Sequence, residues 1–565
     1  MPQIFFHKVY PGETALPFRT KTEEELRQEE IDAQDPVYQR SLFGKDGRAW
    51  PVITAGAGLF SDGYVNNSMG TVNTILKRLY GDMYSKSTYG RTVSSIVFAG
   101  TVLGMIVFGF VADYHSRKMG MIASTLILIL FTILCSAAWG GGGKNDIDGM
   151  LSALIAYRFL VGIGIGGEYP AGSVACSEAS AMMGSGTRNR WFIFFTGFMI
   201  DFGFVVAAFV PLILLWICGE NHLTPVWRLT IGLGAIPPLS LFYFRTKFKE
   251  PETFKKNNFK RTRPPYILAL RYYGPRLVVI CIVWMLYNFI SFPFGIYGSQ
   301  IISLLVPDDD LHKTFGWNIL LTAFYLPGAF LGAIFSDWFG PRITLAGALV
   351  LQGMVGFIMA GVYESMIKNI AGFVIAYGIF QALGEMGPGG NIGLLASKNS
   401  PTAIRGVFYC IAAAMGKIGA FIGTQCFPLI IAGFQKNSAN EIDGVKGPFW
   451  ISSALCFFSA IITFFFLPPV TQMSVQDEDR KFFEYIRAHG FDVSKMGDEG
   501  YEPGSDEAME TELYDPKGSD TDVFEQKGAS EALVTEVPEQ KGVSEAVIAE
   551  VPGEKGSEDL PKYSA

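Results

Sequence analysis

The chain has 565 residues, 49% of them hydrophobic, 14% aromatic and only 17% charged, with a mean hydropathy of +0.28. That is too apolar for a soluble multidomain protein, and the apolar residues are clustered, so the chain reads as a polytopic membrane protein. The formal charge of −7 is uneven: Val470 onward carries 24 acids against nine bases, net −15, which leaves +8 on everything before it.

About 48 polar residues open the chain, with no basic stretch, short apolar core and small-residue cleavage site, so no cleaved leader is expected. A spanning helix needs about 20 mostly apolar residues. Twelve such windows follow, at 50–74, 92–113, 119–139, 150–173, 191–217, 227–245, 277–305, 315–336, 343–362, 370–396, 406–430 and 448–468. The expected fold is an all-α membrane protein of twelve transmembrane helices in two pseudo-symmetric six-helix bundles. The segments are 1–48 (cytoplasmic), 49–247 (first bundle), 248–276 (basic linker), 277–468 (second bundle) and 469–565 (acidic tail).

From Arg245 to Arg276 the sequence holds ten bases against two acids. The positive-inside rule makes this loop cytoplasmic, and an even helix count then puts both termini there. Lys77, Arg78, Lys86 and Arg91, in the first loop of the opposite side, run against that assignment. In the tail, "EQKGASEALVTEVP" (525–538) is repeated as "EQKGVSEAVIAEVP" (539–552), and proline and charge at this density predict disorder. The bases border spans and nothing resembles a base-reading module, so nucleic acid is excluded as a partner. The seven cysteines fall in or beside spans and read as apolar filler, with no paired metal motif. The five histidines lie in tails or loops, leaving no constellation for an enzyme.

The halves share a motif. "GFVADYHSRK" (109–118) follows the second span and "GAIFSDWFGPR" (332–342) the eighth, each with a helix-ending aspartate, Asp113 or Asp337, and a following Arg117 or Arg342. These residues, with Glu178 and Arg405, are read as a charge clasp that gates two halves rocking about a central site.

Inside the spans, "GIGIGGEYP" (162–170) cannot be a phosphate loop, because a long apolar helix precedes it and no βαβ unit surrounds it. Its glycines instead suit close helix–helix approach. Glu168 remains, and an ionised carboxylate at mid-span costs at least about 2.5–3.5 kcal/mol, so it must pair with a cation or take up a proton. Asp62, Asp201 and Glu385 pose the same problem. Pairing with Arg158 or Lys417 is one solution for each; proton coupling is preferred for Asp62 and Glu168, and the two readings stand level for Asp201 and Glu385. Lys417, alone among small residues in the eleventh span, would attract an anion. The break "GEMGPGGN" (384–391) could offer it backbone dipoles. Trp284, Asn288 and Phe292 recur every four residues on one face. Such a stripe is either packing or a cavity wall, and Asn288 in its middle favours the wall.

The paired Asp/Arg motifs, the central basic loop and "PTAIRG" (401–406) together resemble the major facilitator superfamily over about 48–468. "GIGIGGEYP", "PTAIRG" and "GKIGA" are similar to its phosphate:proton symporter family. The resemblance implies a proton-linked aspartate at Asp62, an acid of the fourth-span motif at Glu168 where that family has Asp-Tyr-Pro, and a substrate lysine at Lys417. Departures imply a larger solute: the inorganic-phosphate permeases have Trp, Asp and Tyr where this chain has Trp284, Asn288 and Phe292. Their span-five glutamine falls on Asp201, and their span-ten asparagine falls on Gly389, with Asn391 two residues on. Asn288 and Gly389 should widen the cavity. Glu-Tyr-Pro with asparagine in span seven is similar to the fungal glycerophosphodiester permeases, and Asp201 would suit a solute with a cationic head.

The expectation is a proton-coupled organophosphate transporter of the plasma membrane, with Asp62 and Glu168 carrying protons and Tyr169, Asp201, Trp284, Asn288, Asn391 and Lys417 holding substrate. No cofactor is expected besides the coupling proton, and partners are a small solute and the bilayer. Alternatives are inorganic phosphate, export of a secondary metabolite, or a non-transporting nutrient sensor.

Overall fold

The computed structural model describes residues 49–85, 88–142, 146–181, 183, 186–248, 258–259, 262–307, 310–435, 441–470, 474–493 and 496. The expected segment 1–48 and the repeat at 525–552 lie outside them. Every predicted span falls on a helix: α1 (49–85), α2 (Tyr89–Tyr114), α3 (Arg117–Ser136), α4 (Ile147–Ser180), α5 (Arg188–Cys218), α6 (223–246), α7 (Tyr266–Ser303), α8 (Leu311–Phe339), α9 (Pro341–Gly361), α10 (Ile370–Lys398), α11 (Thr402–Gln435) and α12 (Asp443–Phe466). Among the described residues there is no strand.

Ten of these helices are long and apolar enough to cross a membrane. The other two, α1 and α6, differ for visible reasons. α1 buries Ser61, Asp62, Asn66, Asn67, Ser68, Thr71, Asn73 and Thr74. Lipid would not tolerate that polar face, but a bundle interior can satisfy it. α6 is interrupted by a 3-10 turn at Leu233–Ala235 that leads into Pro237 and Pro238. The lipid-facing sides carry the apolar residues that a soluble fold would hide, such as Leu103, Ile106, Val107 and Phe110 on α2 and Ile213, Trp216 and Ile217 on α5.

Two features lie where the sequence placed none. α7 begins at Tyr266, within the expected linker. A thirteenth helix, α13 (Ser474–Ala488), occupies the start of the expected disordered tail. It buries Phe482, Phe483 and Ile486, a helical spacing that the surrounding acids concealed.

The seam between the halves is made by α2 against α11, α1 against α7 and α5 against α8. Within the first half, the glycines of "GIGIGG" do what their spacing suggests. A Cβ on Gly162 or Gly166 would strike the backbone of α2 at Val97–Thr101 or Thr101–Met105, where Gly100 and Gly104 approach. Small residues four apart on both helices thus bring α4 and α2 to backbone contact.

Both halves also break a helix beside the cavity. α4 widens to a π-helical turn at Tyr169–Ser173 around Pro170, and α10 does the same at Glu385–Gly389 around Pro388. Proline cannot donate to the ladder, and a π-bulge absorbs the mismatch while re-aiming the side chains around it.

Candidate functional site

A central cavity of about 80 Å³ lies between the halves. Asn66 and Asn67 reach it from α1, Tyr169 from α4, Trp284, Tyr287, Asn288 and Phe292 from α7, Tyr325 from α8, Glu385 from α10 and Tyr409 from α11. The stripe on α7 is therefore a cavity wall. Gly416 on α11 admits it, since a Cβ there would strike the Trp284 ring and the Asn288 amide.

Behind Tyr169, Asn66 and Phe292 sits a buried ion pair. Asp62 Oδ2 accepts from Lys417 Nζ at 3.0 Å and from the Tyr169 hydroxyl at 2.5 Å, while Oδ1 accepts from Asn66 Nδ2 at 2.5 Å. Asp62 and Lys417 are each 1% exposed. The ammonium also lies 4.3 Å from the Phe292 ring centroid and 5.0 Å from that of Tyr169. Fully desolvated charges of this kind are held by mutual attraction and hydrogen bonds, and removing one leaves the other exposed to an uncompensated penalty. An incoming anion could compete with Asp62 for Lys417.

The structure sets Glu168 apart from the cavity. Its carboxylate is gripped bidentately by Arg245 of α6, at 2.6 and 2.5 Å, and accepts from Ser124 Oγ at 2.9 Å. Arg245 also donates to Thr125 Oγ1 at 2.5 Å. Gly58 leaves the room, because a Cβ there would meet both charged groups. Arg158, considered as a partner for the buried acids, instead donates to the Val93 carbonyl at 2.7 Å.

Asp201 and Glu385 have neither arrangement. Asp201 is 0% exposed, and among the described residues neither of its carboxylate oxygens has a hydrogen-bond partner. Glu385 Oε1 accepts from the Tyr287 hydroxyl at 2.9 Å. The expected widening at Gly389 takes another form, because the space a Cβ would fill there holds the Glu385 carboxyl. Asn391 is buried and donates to the carbonyls of Met386 and Gly387 at 3.2 and 2.9 Å. It braces the α10 break and is not among the cavity-wall residues.

On the side of the basic linker a charge clasp closes the seam. Arg117 binds Asp113 at 2.6 Å and Glu178 at 3.1 Å, and Glu178 also binds Arg405 at 3.4 Å. Asp113 crosses to the first turn of α11, accepting from the Gly406 and Val407 amides at 3.0 and 2.6 Å. There the helix dipole favours an anion. The second copy of the motif is wired differently. Asp337 accepts from Arg190 of the first half at 2.5 Å, and Arg342 donates to the Leu467 carbonyl at 2.9 Å. α13 covers this region. Asp479 accepts from the Thr402 amide at 2.5 Å and its hydroxyl at 2.6 Å, and Glu478 pairs with Arg276 at 3.0 Å. Burial pushes the Asp479 carboxyl above its ordinary range, against the pull of Arg405 and the Thr402 hydrogen bonds.

On the opposite face Glu220, Asp310 and His312 bring ligand atoms within 4.8 Å of one another, with Arg78 also on Glu220 at 3.3 Å. They are partly exposed and already paired, and no metal role follows.

Sequence reasoning missed Arg245, which was counted with the linker charges, and Tyr287, Tyr325 and Tyr409, which no charge or period marks. It also missed Glu478 and Asp479 within the tail.

Twelve helices in two halves, a central cavity and a charge clasp at one end define a secondary transporter. Residues 49–263 and 255–482 match the family "Sugar (and other) transporter", and the chain belongs to it. Among solved structures it resembles a proton:xylose symporter of the major facilitator superfamily, with a TM-score of 0.62 at 16% identity, over 77% of this chain and 98% of that one. More specifically, it is 45% identical to a glycerophosphodiester transporter of Candida albicans, over 87% of this chain and 92% of that protein. It is 44% identical to a glycerophosphocholine permease of the same organism (90% and 94% covered) and 46% identical to its major glycerophosphoinositol permease (81% and 85% covered).

Proposed function

We propose that the protein imports a glycerophosphodiester together with protons, by alternating access, as an integral protein of the plasma membrane with both termini in the cytoplasm. It is a carrier and not an enzyme. The observation that carries the reading is the Asp62–Lys417 pair: a cation held 3.0 Å from its acid, one side chain behind the wall of the central cavity. The names of relatives at 44–46% identity supply the class of solute.

In this mechanism the diester phosphate, a monoanion, draws the Lys417 ammonium toward the cavity past the rings of Tyr169 and Phe292. Asp62 then loses its counter-charge and takes up a proton, so solute and proton load together. The loaded site is neutral in sum, and the halves can close over it at lower electrostatic cost. Trp284, Asn288 and Asn66 orient the solute, with the amides donating to phosphate or glycerol oxygens. Glu168 is the second proton-linked carboxyl, and it can accept a proton only when Arg245 leaves it as α4 and α6 shift. Opening the clasp of Asp113, Arg117, Glu178 and Arg405 releases solute toward the cytoplasm, where the lower proton activity resets Asp62.

The test is uptake of labelled glycerophosphodiester by cells lacking their own carriers, at external pH 5 and 7.5. Wild type should be faster at pH 5. Lys417→Met should lower uptake by about a hundredfold or more, the scale of losing a charged contact worth roughly 3 kcal/mol, with the tagged protein still at the surface. Normal uptake by Lys417→Met would sink the mechanism.

A further inference from the structure

The cavity has a second acidic pole, and none of the described residues supplies it with a cation. Asp62, Asp113, Glu168, Glu178 and Asp337 each have a lysine or arginine nitrogen within 3.1 Å. Glu385 and Asp201 do not. The Tyr287 hydroxyl meets the Glu385 carboxyl, and no lysine or arginine is among the residues that line the cavity.

The surroundings are those of a receptor for a cation. Glu385 lies in the wall, fixed by the Tyr287 hydroxyl and seated over Gly389. Asp201 stands behind with both oxygens unpartnered among the described residues. Trp284, Tyr287, Tyr325 and Tyr409 present aromatic rings to the same space. An aromatic face attracts an alkylammonium through its quadrupole, and a carboxylate beside it adds a full charge. The other pole is Lys417 with Tyr169, which offers the opposite sign.

We infer that Glu385 and Asp201, with the rings around them, bind the cationic headgroup of the transported diester. The solute that fits both poles is a zwitterion, its phosphate toward Lys417 and its quaternary ammonium or amine at Glu385. A polyol headgroup leaves the second pole unmatched. This deepens the preceding reading and rests on it.

The experiment measures kcat/KM for uptake of glycerophosphocholine and of glycerophosphoinositol by the full chain in carrier-deficient cells, for wild type, Glu385→Gln, Asp201→Asn and Tyr287→Phe, each normalised to surface protein. Wild type should favour the choline diester by about tenfold, and Glu385→Gln should remove most of that ratio, the scale of one desolvated cation contact. Tyr287→Phe keeps the ring and frees the carboxyl, so the ratio should fall less. Free choline should inhibit wild-type uptake and lose its effect in Glu385→Gln, a readout that a folding defect would not produce. A wild-type preference for the inositol diester, or an equal loss of both solutes in every variant, overturns the headgroup site while leaving diester transport intact. Uptake of neither solute by wild type at the surface overturns both readings.

Discussion

The fourth and tenth helices are the same device built twice. Each carries an acid at the start of a π-helical turn, followed by a proline and small residues, and each packs beside the central cavity. In α4 the acid is Glu168, closed off by a bidentate arginine. In α10 it is Glu385, which faces the cavity with only a tyrosine hydroxyl for company. Pseudo-symmetry has repeated the backbone and not the charge: Arg245, from the end of α6, reaches the first acid, whereas at the corresponding end of the second half α12 runs out in "FFFLPP". A bilayer interior makes that difference consequential, since a buried carboxyl without a protein cation is free to take its counter-charge from a solute or a proton. In this state the first half keeps its acid paired and the second offers its acid to ligand.

Removing the arginine should convert the first arrangement into the second. Arg245→Ala leaves Glu168 buried and unpaired, and breaking such a pair from one side destabilises by about 3–5 kcal/mol. The expected outcome is a clear fall in the unfolding temperature of detergent-purified protein, the largest effect proposed. Arg245→Met combined with Glu168→Leu should recover most of it, because a buried pair can be exchanged for apolar packing at little net loss. Equal stability of Arg245→Ala and wild type would mean that Glu168 is as free as Glu385, and the contrast between the halves would fall.

The clasp repeats the lesson at smaller scale. Asp113 is locked to two backbone amides of α11 and to Arg117, while Asp337 takes a side chain, Arg190, that is about a third exposed. Asp113→Asn should therefore loosen the linker side by about 1–3 kcal/mol, the range for breaking buried charged hydrogen bonds. Asp337→Asn should cost less in its pairing with Arg190, whose guanidinium is partly screened by solvent. The reporter is Cys410, buried on α11 where it packs against Gly109 of α2. Its labelling by a membrane-permeant thiol reagent, followed on the Cys410 peptide, should accelerate more in Asp113→Asn. Equal acceleration would show the two copies of the motif to be equivalent gates.

Much of this was legible in the sequence, and the limits have a physical pattern. Helices are written in hydropathy, so the twelve spans could be placed. The duplicated Asp/Arg motif and the glycines of "GIGIGG" are local signals, each written within one short stretch. What escaped was partnership over distance. Arg245 lies 77 residues from Glu168 and was hidden in a count of linker bases. The isolation of Asp201 could not be read either, because having no partner is a property of the tertiary neighbourhood. α13 was hidden by its acids, although Phe482, Phe483 and Ile486 carried a helical period.

Those acids lead to the smallest effect. Asp479 docks α13 onto Thr402, at the start of α11 and beside the clasp. Burial raises its docked pKa above the ordinary 3.8. A carboxyl raised on docking contributes stability that is fully present below its free pKa and is lost as pH rises through the docked value. Acidification toward pH 4 should therefore tighten α13, and neutral pH should loosen it. Hydrogen exchange of the 474–488 amides, measured in detergent across pH 4–7 and corrected for intrinsic rates, should show protection rising as pH falls. Asp479→Asn mimics the protonated carboxyl and should flatten that dependence while keeping the helix docked. Protection that rose with pH would mean that the Thr402 hydrogen bonds and the Arg405 charge, and not desolvation, govern how the strap sits on the gate.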